Sequence, residues 1–365
     1  MHDSVHQEMT ATATATSCRM DSFIVGSYAT SPNLYALEHQ DSGIGYDADR
    51  EAAFYDGLAA LHTVGGLEIQ LDGDGVMHSF DEAQFLAEFA RPHWKGVLTC
   101  IGGTMANVGA NSAFGLASTD AAGRGSALDF ARKACAAVAR WNARPGAAEA
   151  GGAIIAVEVH SAPNTTKGTA SSAEAFAMSL AEMASWDWQG AKLVVEHCDT
   201  AGPLGLPSKG FLTLADDIAA VQIANESLAE DKKVRCCINW ARSTLETHDP
   251  ATVETHLMQC AQAGVLAALM FSGCTGESNA FGPWKDCHMP HAKADGAEHW
   301  ADGSVMTAQS IDSCVKAAQA SPLLYCGCKI TSLATGHWVG DAESDVAVRV
   351  GLNRDLLSII SKGFE

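Results

Sequence analysis

Seven polar side chains stand at or near the ends of apolar, strand-like runs of this 365-residue chain. They combine carboxylates, an imidazole, an amide, a hydroxyl and an amine, and they are Glu68, Glu158, His160, Glu196, Asn239, Ser272 and Lys329. A carboxylate can accept a proton, and an ammonium or an imidazole can stabilise or shuttle the charge that results. Because an unpaired charge is costly to bury, such residues either pair with one another or serve a site. Their positions indicate acid–base chemistry.

These residues belong to eight β-like runs, each followed by a helical pattern. The runs are residues 23–29, 66–71, 96–102, 153–160, 192–199, 234–240, 265–272 and 323–330. Near-continuous apolar strands that alternate with helices predict a parallel sheet covered on both faces. An open doubly wound sheet would show a glycine-rich phosphate turn after its first strand, and TSPNLY follows that strand instead. We therefore predict the α/β class, with a single (β/α)8 TIM barrel over residues 21–365 and a disordered tail over residues 1–20.

The period-2 alternation of a strand indicates which side chains face the barrel interior. The residues that this pattern turns inward on the second, fourth, sixth and eighth strands are Glu68, Glu158, His160, Asn239 and Lys329. The fifth strand is less clear, because Glu196 and His197 are neighbours and point to opposite sides. We favour Glu196 inward, with Asp199 and His197 reaching the site from the following loop. In a barrel, polar residues at the C-terminal strand ends are typical of an active site.

Two expectations concern how these residues meet. We expect Glu158 and Glu196 to lie at matching heights on adjacent strands and to converge on one positive charge, since two close carboxylates are not both ionised cheaply without one. We expect Lys329 to lie within reach of a carboxylate of the fourth or fifth strand. Internal salt bridges among these residues are the alternative to a catalytic site.

The connection after the seventh strand, residues 273–305, is unusually long and begins with the glycine-rich run GCTGES. Connections of this length in a compact domain are usually lids or binding loops. It carries several histidines and tryptophans, among them His288, which we expect to contact the substrate. Glu277 in the glycine-rich start opposes an anionic ligand there. We predict that the connection closes over the barrel mouth.

Composition excludes several classes of protein. The net charge of −20 opposes binding to nucleic acid, which relies on Lys and Arg to neutralise phosphates. No run approaches the roughly 18 apolar residues needed to cross a bilayer. Twelve cysteines, several within apolar runs, indicate reduced buried thiols in a cytoplasmic protein. The partner that fits this composition is a small carbohydrate-like molecule, and a homo-oligomer is compatible with it.

Several motifs together resemble a known family. They are FIVGSYA, TCIGGTMANVGANSAFGLAS, AVEVHSAP, VVEHCDT, KGFLTL, INWARS and LMFSG. The family they resemble is an uncharacterised domain of unknown function in the xylose-isomerase-like TIM-barrel group, and the resemblance covers residues 22–360. The wider group includes sugar isomerases, sugar epimerases and an apurinic endonuclease, mostly with divalent metals held by Glu, Asp and His at strand ends.

The resemblance also implies a divalent metal, Mn, Mg or Zn, held by two carboxylates, a histidine and a further glutamate. Glu158 or Glu196 corresponds to the first carboxylate, and Asp199 or His197 to the next ligand. The residues that the sixth, seventh and eighth strands offer do not complete this set: Asn239, Ser272 and Lys329. The departure leaves a second interpretation, in which a lysine supplies the positive charge in place of the metal.

A sugar or sugar-acid isomerase or epimerase is the leading functional hypothesis. Proton abstraction beside a carbonyl requires a base, Glu158 or Glu196, and a positive group at the developing oxyanion, Lys329 or a metal ion. His160 and His197 are the candidates to shuttle protons, because imidazoles titrate near neutrality. The residues expected to bind the substrate are Glu68, Asn239, Arg242, Ser272 and His288.

Three alternatives stay open. A lyase or aldolase would use Lys329 as a Schiff-base nucleophile. A metal-dependent hydrolase, including the endonuclease branch, is opposed by the strongly negative charge of the chain. A barrel that binds sugar without chemistry would keep the pocket but would lack acid–base groups with shifted pKa values.

Overall fold

The computed structural model describes residues 20–33, 46–202, 204, 207–332 and 342–365. The predicted disordered tail over residues 1–20 lies outside these residues, apart from Met20. Eight parallel strands close into a barrel in chain order, each paired with the next and the last paired with the first. The strands are β1 Phe23–Gly26, β2 Val64–Gln70, β3 Lys95–Thr99, β4 Ile154–Val159, β5 Lys192–Glu196, β6 Arg235–Asn239, β7 Leu266–Phe271 and β8 Tyr325–Cys328. The predicted (β/α)8 barrel is confirmed, and each predicted run overlaps one strand, although β2 and β3 begin one or two residues before the runs that predicted them.

Helices follow the strands and surround the barrel. They are α1 Ser27–Thr30, α2 Ala48–Ala59, α3 Glu82–Gln84, α4 Ile101–Ala110, α5 Ala121–Asn142, α6 Ala147–Ala150, α7 Ala173–Ala184, α8 Leu214–Asn225, α9 Trp240–Thr247, α10 Ala251–Gln262, α11 Ala308–Ala318 and α12 Ala342–Gly363. A π-helical turn, Phe85–Phe89, continues α3, and short 3-10 turns cover Thr165–Lys167 and Glu230–Lys232. Side-chain caps begin several of these helices: the Thr213 hydroxyl, for example, accepts a hydrogen bond from the backbone N–H of Asp216 at the start of α8.

The alternation of each strand divides the core into two layers. Leu67, Val157 and Ile238 face outward and pack in the large core between strands and helices. Their inward neighbours form a small apolar plug that includes Ile24, Val97, Ala156, Val194 and Tyr325. Each large apolar side chain that is fully buried contributes about 1.5–3 kcal/mol to folding. The polar residues of the site lie above this plug, at the C-terminal ends of the strands.

The connection over residues 273–305 lies across the C-terminal ends of β6, β7 and β8. The backbone carbonyl of His288 accepts a hydrogen bond of 2.7 Å from Thr331, which follows β8. Trp284 stacks on His248 at the end of α9, with ring centroids 4.1 Å apart. The predicted position over the barrel mouth is confirmed.

Two further expectations can be compared with the structure. The eleven cysteines in the described part of the chain are free, and nine of them are buried. Among the described residues, no helix combines the length and the apolar character that crossing a membrane would require.

Candidate active site

Glu196, the last residue of β5, is held at both of its carboxylate oxygens. Oε1 accepts a hydrogen bond of 3.0 Å from Asn239 and lies 3.5 Å from Lys329 Nζ. Oε2 lies 2.6 Å from the Arg242 guanidinium and 2.8 Å from His160 Nε2. Burial opposes ionisation, but Arg242 and Lys329 hold the pKa of this carboxyl well below its ordinary value. Glu196 is therefore an ionised anchor for other side chains, and it is too weak a base to remove a proton from carbon.

The sequence places Arg242 at this carboxylate through a helix cap. Asn239 ends β6, and its Oδ1 accepts a hydrogen bond of 3.4 Å from the backbone N–H of Arg242 in the first turn of α9. The same amide donates to Glu196 through Nδ2, so one side chain both begins the helix and orients the anchor. Arg242 then reaches Asp286 of the 273–305 connection, with Nε 3.3 Å from Oδ2. The connection is thereby tied to the barrel interior.

Lys329 directly follows β8 and is completely buried. Its Nζ lies 2.6 Å from Glu68 Oε1, closer than to Glu196. The expected contact with a fifth-strand carboxylate is confirmed, but the nearest partner comes from β2. A side chain at Gly26 would bring its Cβ to 2.7 Å from Glu68 Oε2, so glycine on β1 makes room for this pair.

The charge of Lys329 follows from these contacts. Burial opposes it, but Glu196 and Glu68 raise the pKa of the ammonium well above its ordinary value. A lysine that stays protonated is a cation and a hydrogen-bond donor, whereas a Schiff-base nucleophile must be neutral. The geometry therefore favours the electrostatic role over the lyase hypothesis.

Glu158 on β4 has the opposite protonation. Its Oε1 accepts a hydrogen bond of 2.7 Å from the Tyr325 hydroxyl, and its Oε2 has no hydrogen-bond partner among the described residues. Burial raises the pKa of this carboxyl well above its ordinary value, and the charges of Glu196 and Glu68 add to the effect. Glu158 is therefore neutral while Glu196 is ionised. Two carboxyl groups whose pKa values are pushed apart are the arrangement expected of an acid and an anion that share one site.

The strand register corrects one expectation about this pair. Glu158 pairs with Val194, and Val159 pairs with Val195, which places His160 beside Glu196. The two glutamates are therefore not at matching heights, because Glu196 lies two residues further toward the barrel mouth. Their side chains still converge: oxygens of Glu68, Glu158 and Glu196 lie within 4.8 Å of one another. We call these three glutamates and Lys329 the charged cluster.

Three converging carboxylates could hold a cation, and the structure gives that position to Lys329. Both oxygens of Glu196 are already occupied by hydrogen-bond donors, which leaves no lone pair directed at a metal. Asp199, the expected third ligand, lies elsewhere, and its Oδ2 accepts a hydrogen bond of 3.0 Å from the backbone of Lys209. The side chains as they are arranged therefore do not fit a divalent ion.

Three more of the predicted site residues lie apart from the charged cluster. His197 points to the helix side of β5, where Nδ1 lies 2.8 Å from Asp217 and Nε2 lies 2.9 Å from Glu246. It does not reach the barrel interior, because it follows the inward Glu196 directly and strand neighbours point to opposite faces. Ser272 lies at the mouth, with Oγ 2.8 Å from His288 Nδ1. Burial lowers the pKa of His288 to about 4, so this imidazole is neutral near pH 7.

A cavity of about 550 Å³ opens at the barrel mouth above β1 and β2. The polar side chains on its wall include Tyr28, Gln70, His78, Asp286 and His288. The charged cluster lies beneath it, and the Tyr28 ring, which lines the cavity, is centred 5.7 Å from Lys329 Nζ. His288 packs edge-on against this ring at 6.5 Å. Tyr28 and His288 thus form both the floor of the cavity and the cover of the cluster.

The sequence analysis missed an imidazole–carboxylate pair on the cavity wall. His78 Nε2 lies 2.9 Å from Glu51 Oε1, and Asn33 Nδ2 donates a hydrogen bond of 2.6 Å to Glu51 Oε2. It also missed Tyr28 and Asp286. Glu51 lies within α2, where no sequence pattern distinguishes it from a surface glutamate. Tyr28, His78 and Asp286 could have been found, because they lie in the segments that follow β1, β2 and β7. Those segments build the active-site face of a barrel.

Comparison with known proteins agrees with the motif resemblance. A family model described as "Domain of unknown function (DUF4862)" matches residues 24–351. The chain belongs to this family. An uncharacterized protein of Salmonella typhimurium (strain LT2) is 32% identical over 342 residues, which are 93% of this chain and 97% of that protein.

Solved structures that are similar to this DUF4862 protein include sugar isomerase- and epimerase-like barrels. One is a D-psicose 3-epimerase studied in the presence of D-fructose, with 12% identity, coverage of 94% of this chain and 98% of the other, and a TM-score of 0.48. A xylose isomerase domain protein of Alicyclobacillus acidocaldarius has 14% identity, 94% and 99% coverage and a TM-score of 0.38. A fusion of a xylose isomerase-like TIM barrel and a 4-hydroxyphenylpyruvate dioxygenase has 9% identity and a TM-score of 0.49, and the chain covers 41% of its length. At these identities and TM-scores the likenesses carry no argument about activity.

Proposed function

We propose that the protein is an isomerase or epimerase of small uncharged sugars that moves a proton at the carbon next to a carbonyl. The observation that carries this proposal is the charged cluster, in which the neutral carboxyl of Glu158, the carboxylate of Glu68 and the buried ammonium of Lys329 meet under a cavity. Such a reaction requires a base, an acid and a positive charge near the oxygen on which negative charge develops. In the cluster, Lys329 Nζ lies 2.6 Å from Glu68 Oε1, and oxygens of Glu68 and Glu158 lie within 4.8 Å of each other.

Three members of the charged cluster act on the substrate in this proposal, while Glu196 stays the ionised anchor. Glu68 is the base, because burial raises the pKa of its carboxyl above the ordinary value. A raised pKa makes a carboxylate a stronger base than one exposed to water. Glu158 donates its proton to the substrate oxygen, and Lys329 stabilises the enolate. Glu68 then returns the carbon-derived proton to the neighbouring carbon, and Glu158 takes back the proton of the hydroxyl that becomes the new carbonyl, which completes an isomerisation and restores both carboxyls.

Access to the cluster depends on Tyr28. The hydroxyl of Tyr28 has no hydrogen-bond partner among the described residues, so no hydrogen bond holds the ring in place over Lys329. In the proposed mechanism the ring turns toward the wall of the cavity when a sugar enters. The sugar then takes the place of the ring beside Lys329, and the 273–305 connection excludes water from above.

The cavity wall supports an uncharged substrate. It carries the carboxylates Glu51, Asp72 and Asp286, and its described lining includes no lysine or arginine. The stretches 34–45 and 333–341, which follow β1 and β8, also contain neither residue in the sequence. A phosphate or carboxylate group would therefore meet negative charge, whereas sugar hydroxyls can donate hydrogen bonds to the carboxylates. A volume of about 550 Å³ is sufficient for a single pentose or hexose.

The test is deuterium exchange. We would incubate the protein in D₂O with a panel of uncharged aldoses and ketoses, and with sugar phosphates and sugar acids for comparison, and follow the carbon-bound protons by NMR. We expect exchange next to the carbonyl for at least one uncharged sugar and for none of the anionic ones. Glu68→Gln should reduce the rate by about 100-fold or more. The matched control is Glu254→Gln, which changes an exposed carboxylate on α10 and should leave the rate unchanged.

Four results would count against the proposal. Absence of exchange across the whole panel, or exchange that survives Glu68→Gln, would contradict it. A covalent adduct on Lys329 after borohydride treatment with the active sugar would favour the lyase instead. Stabilisation of the wild type by Mn²⁺ or Mg²⁺ that is lost in both Glu158→Gln and Glu196→Gln would favour the metal-assisted reaction.

A further inference from the structure

A second group of metal-ligating side chains lies on the helix side of β5, away from the barrel interior. We name His197, Glu246 and His256 the outer cluster. His197 directly follows β5, Glu246 lies on α9 and His256 lies on α10, and each offers one ligand atom within 4.8 Å of the others. We propose that the outer cluster binds a zinc ion, with a water molecule as the fourth ligand.

The distances between the ligand atoms suit this ion. His197 Nε2 lies 2.9 Å from Glu246 Oε1, and His256 Nε2 lies 3.8 Å from Glu246 Oε2. Around a tetrahedral zinc with bonds of about 2.0–2.1 Å, neighbouring ligand atoms are about 3.4 Å apart. Small shifts of the three side chains reach that geometry. Two imidazoles and one carboxylate are also a ligand set that zinc takes in proteins, with one position left open.

The other nitrogen of each histidine is already held. His197 Nδ1 lies 2.8 Å from Asp217 Oδ2, and His256 Nδ1 lies 2.9 Å from Ser243 Oγ. In metal sites a partner on the far ring nitrogen fixes the orientation of the imidazole and directs the near nitrogen at the ion. Here both near nitrogens face the same carboxylate, so the outer cluster has the supporting contacts of a metal site as well as its ligands.

Space for a water molecule lies beside Glu246. Glu246 borders a small cavity of about 40 Å³ that is also lined by Asp199, Thr200 and Trp284. That volume suits about one water molecule. Asp199 Oδ1 is buried and has no hydrogen-bond partner among the described residues. A zinc-bound water in this cavity would donate a hydrogen bond to that oxygen and so satisfy it.

Without zinc, His197 lies between the carboxylates of Asp217 and Glu246 as an ion pair. When zinc binds, the proton on Nε2 leaves to solvent and the metal takes its place, while the proton on Nδ1 stays with Asp217. The ion then joins the end of β5 to α9 and α10. Glu196 ends β5, and Arg242 lies on α9 with Glu246. Zinc would therefore fix the position of Arg242 relative to Glu196.

The test is a zinc titration of the purified full-length chain in competition with a chromophoric chelator. We expect one zinc per chain. His256→Gln and Glu246→Gln should each weaken binding by tenfold or more, and Asp217→Asn should weaken it by about tenfold because it replaces the carboxylate partner of His197 by a neutral amide. Co²⁺ in place of zinc should give the intense visible absorption of a tetrahedral site in the wild type and not in Glu246→Gln.

Two controls separate this site from the barrel mouth and from the surface. Glu158→Gln changes the charged cluster and His62→Gln changes an exposed histidine, and both should bind zinc as the wild type does. Circular dichroism confirms that each variant is folded before titration. Failure of the wild type to bind zinc would overturn the inference and would identify the outer cluster as an ion pair alone. Binding that survives His256→Gln and Glu246→Gln, or that is lost in Glu158→Gln, would overturn it equally.

Discussion

Replacement of Lys329 by methionine removes the one ammonium of the charged cluster and keeps an unbranched side chain of similar length. In the wild type Nζ lies 2.6 Å from Glu68 and 3.5 Å from Glu196, and all three side chains are fully buried. Removing one partner of a buried pair costs about 3–5 kcal/mol of unfolding free energy, since the remaining charge is left without compensation. Glu196 keeps its contact with Arg242, whereas Glu68 loses the cation that is paired with it among the described residues. The penalty therefore falls on Glu68.

Protonation of Glu68 limits this penalty at low pH. Burial raises the pKa of Glu68, and Lys329 is the main group that lowers it, so the pKa rises further in the variant. A carboxyl whose pKa is higher in the folded than in the unfolded state is most stabilising below its unfolded pKa, and that contribution is lost as pH rises through the folded pKa. Lys329→Met should therefore be less destabilised at pH 5 than at pH 8.

Urea unfolding followed by circular dichroism at both pH values measures the effect. We expect a loss of about 3–5 kcal/mol at pH 8 and a smaller loss at pH 5. The double variant with Glu68→Gln should recover part of the loss at pH 8, because it removes the uncompensated charge. The matched control is Lys316→Met, whose side chain is 65% exposed and pairs with Asp312, and which should cost less than about 1 kcal/mol.

If Lys329→Met costs no more than Lys316→Met, or costs the same at pH 5 and pH 8, the ammonium does not balance Glu68. A double variant that is less stable than Lys329→Met at pH 8 would lead to the same conclusion.

The remaining predictions concern Glu158, Glu196 and Asp286. Glu158→Gln replaces a neutral carboxyl by a neutral amide and should change the unfolding free energy at pH 7 by less than about 1 kcal/mol. Glu196→Gln removes a buried charge that is paired with Arg242, and it should cost about 3–5 kcal/mol of unfolding free energy in the same urea assay. Because the pKa of Glu196 is lowered in the folded state, its stabilisation should be lost as pH falls below the ordinary glutamate value of 4.5, and acid unfolding of Glu196→Gln should be less steep. Asp286→Asn weakens the contacts of the 273–305 connection to Lys209 and Arg242. Hydrogen exchange of the backbone amides in this connection, measured by mass spectrometry, should become about tenfold faster. An unchanged exchange rate would show that other contacts hold the connection.

Strand periodicity was sufficient to predict much of the candidate site. Alternation placed Glu68, Glu158 and Lys329 inside the barrel, because the face to which a strand side chain points depends only on its own residue spacing. The C-terminal position of the site followed from the alternation of strands and helices. Glu51 and His78 could not be found in this way, because their pairing joins a helix to the segment after β2 and no local pattern encodes it.

The sequence by itself therefore determined the barrel, the inward residues and the position of the connection over the mouth. Only the tertiary structure decided which charges pair. Lys329 lies closest to Glu68 of β2 rather than to a carboxylate of β4 or β5, and Arg242 pairs with Glu196. The tertiary structure also decided that Glu158 is neutral, Glu196 ionised, and His197 turned toward Asp217 and α9. The physical reason is that register and protonation are not local. The heights of Glu158 and Glu196 depend on how eight strands shift when the barrel closes, and each pKa depends on burial and on charges brought together from distant parts of the chain.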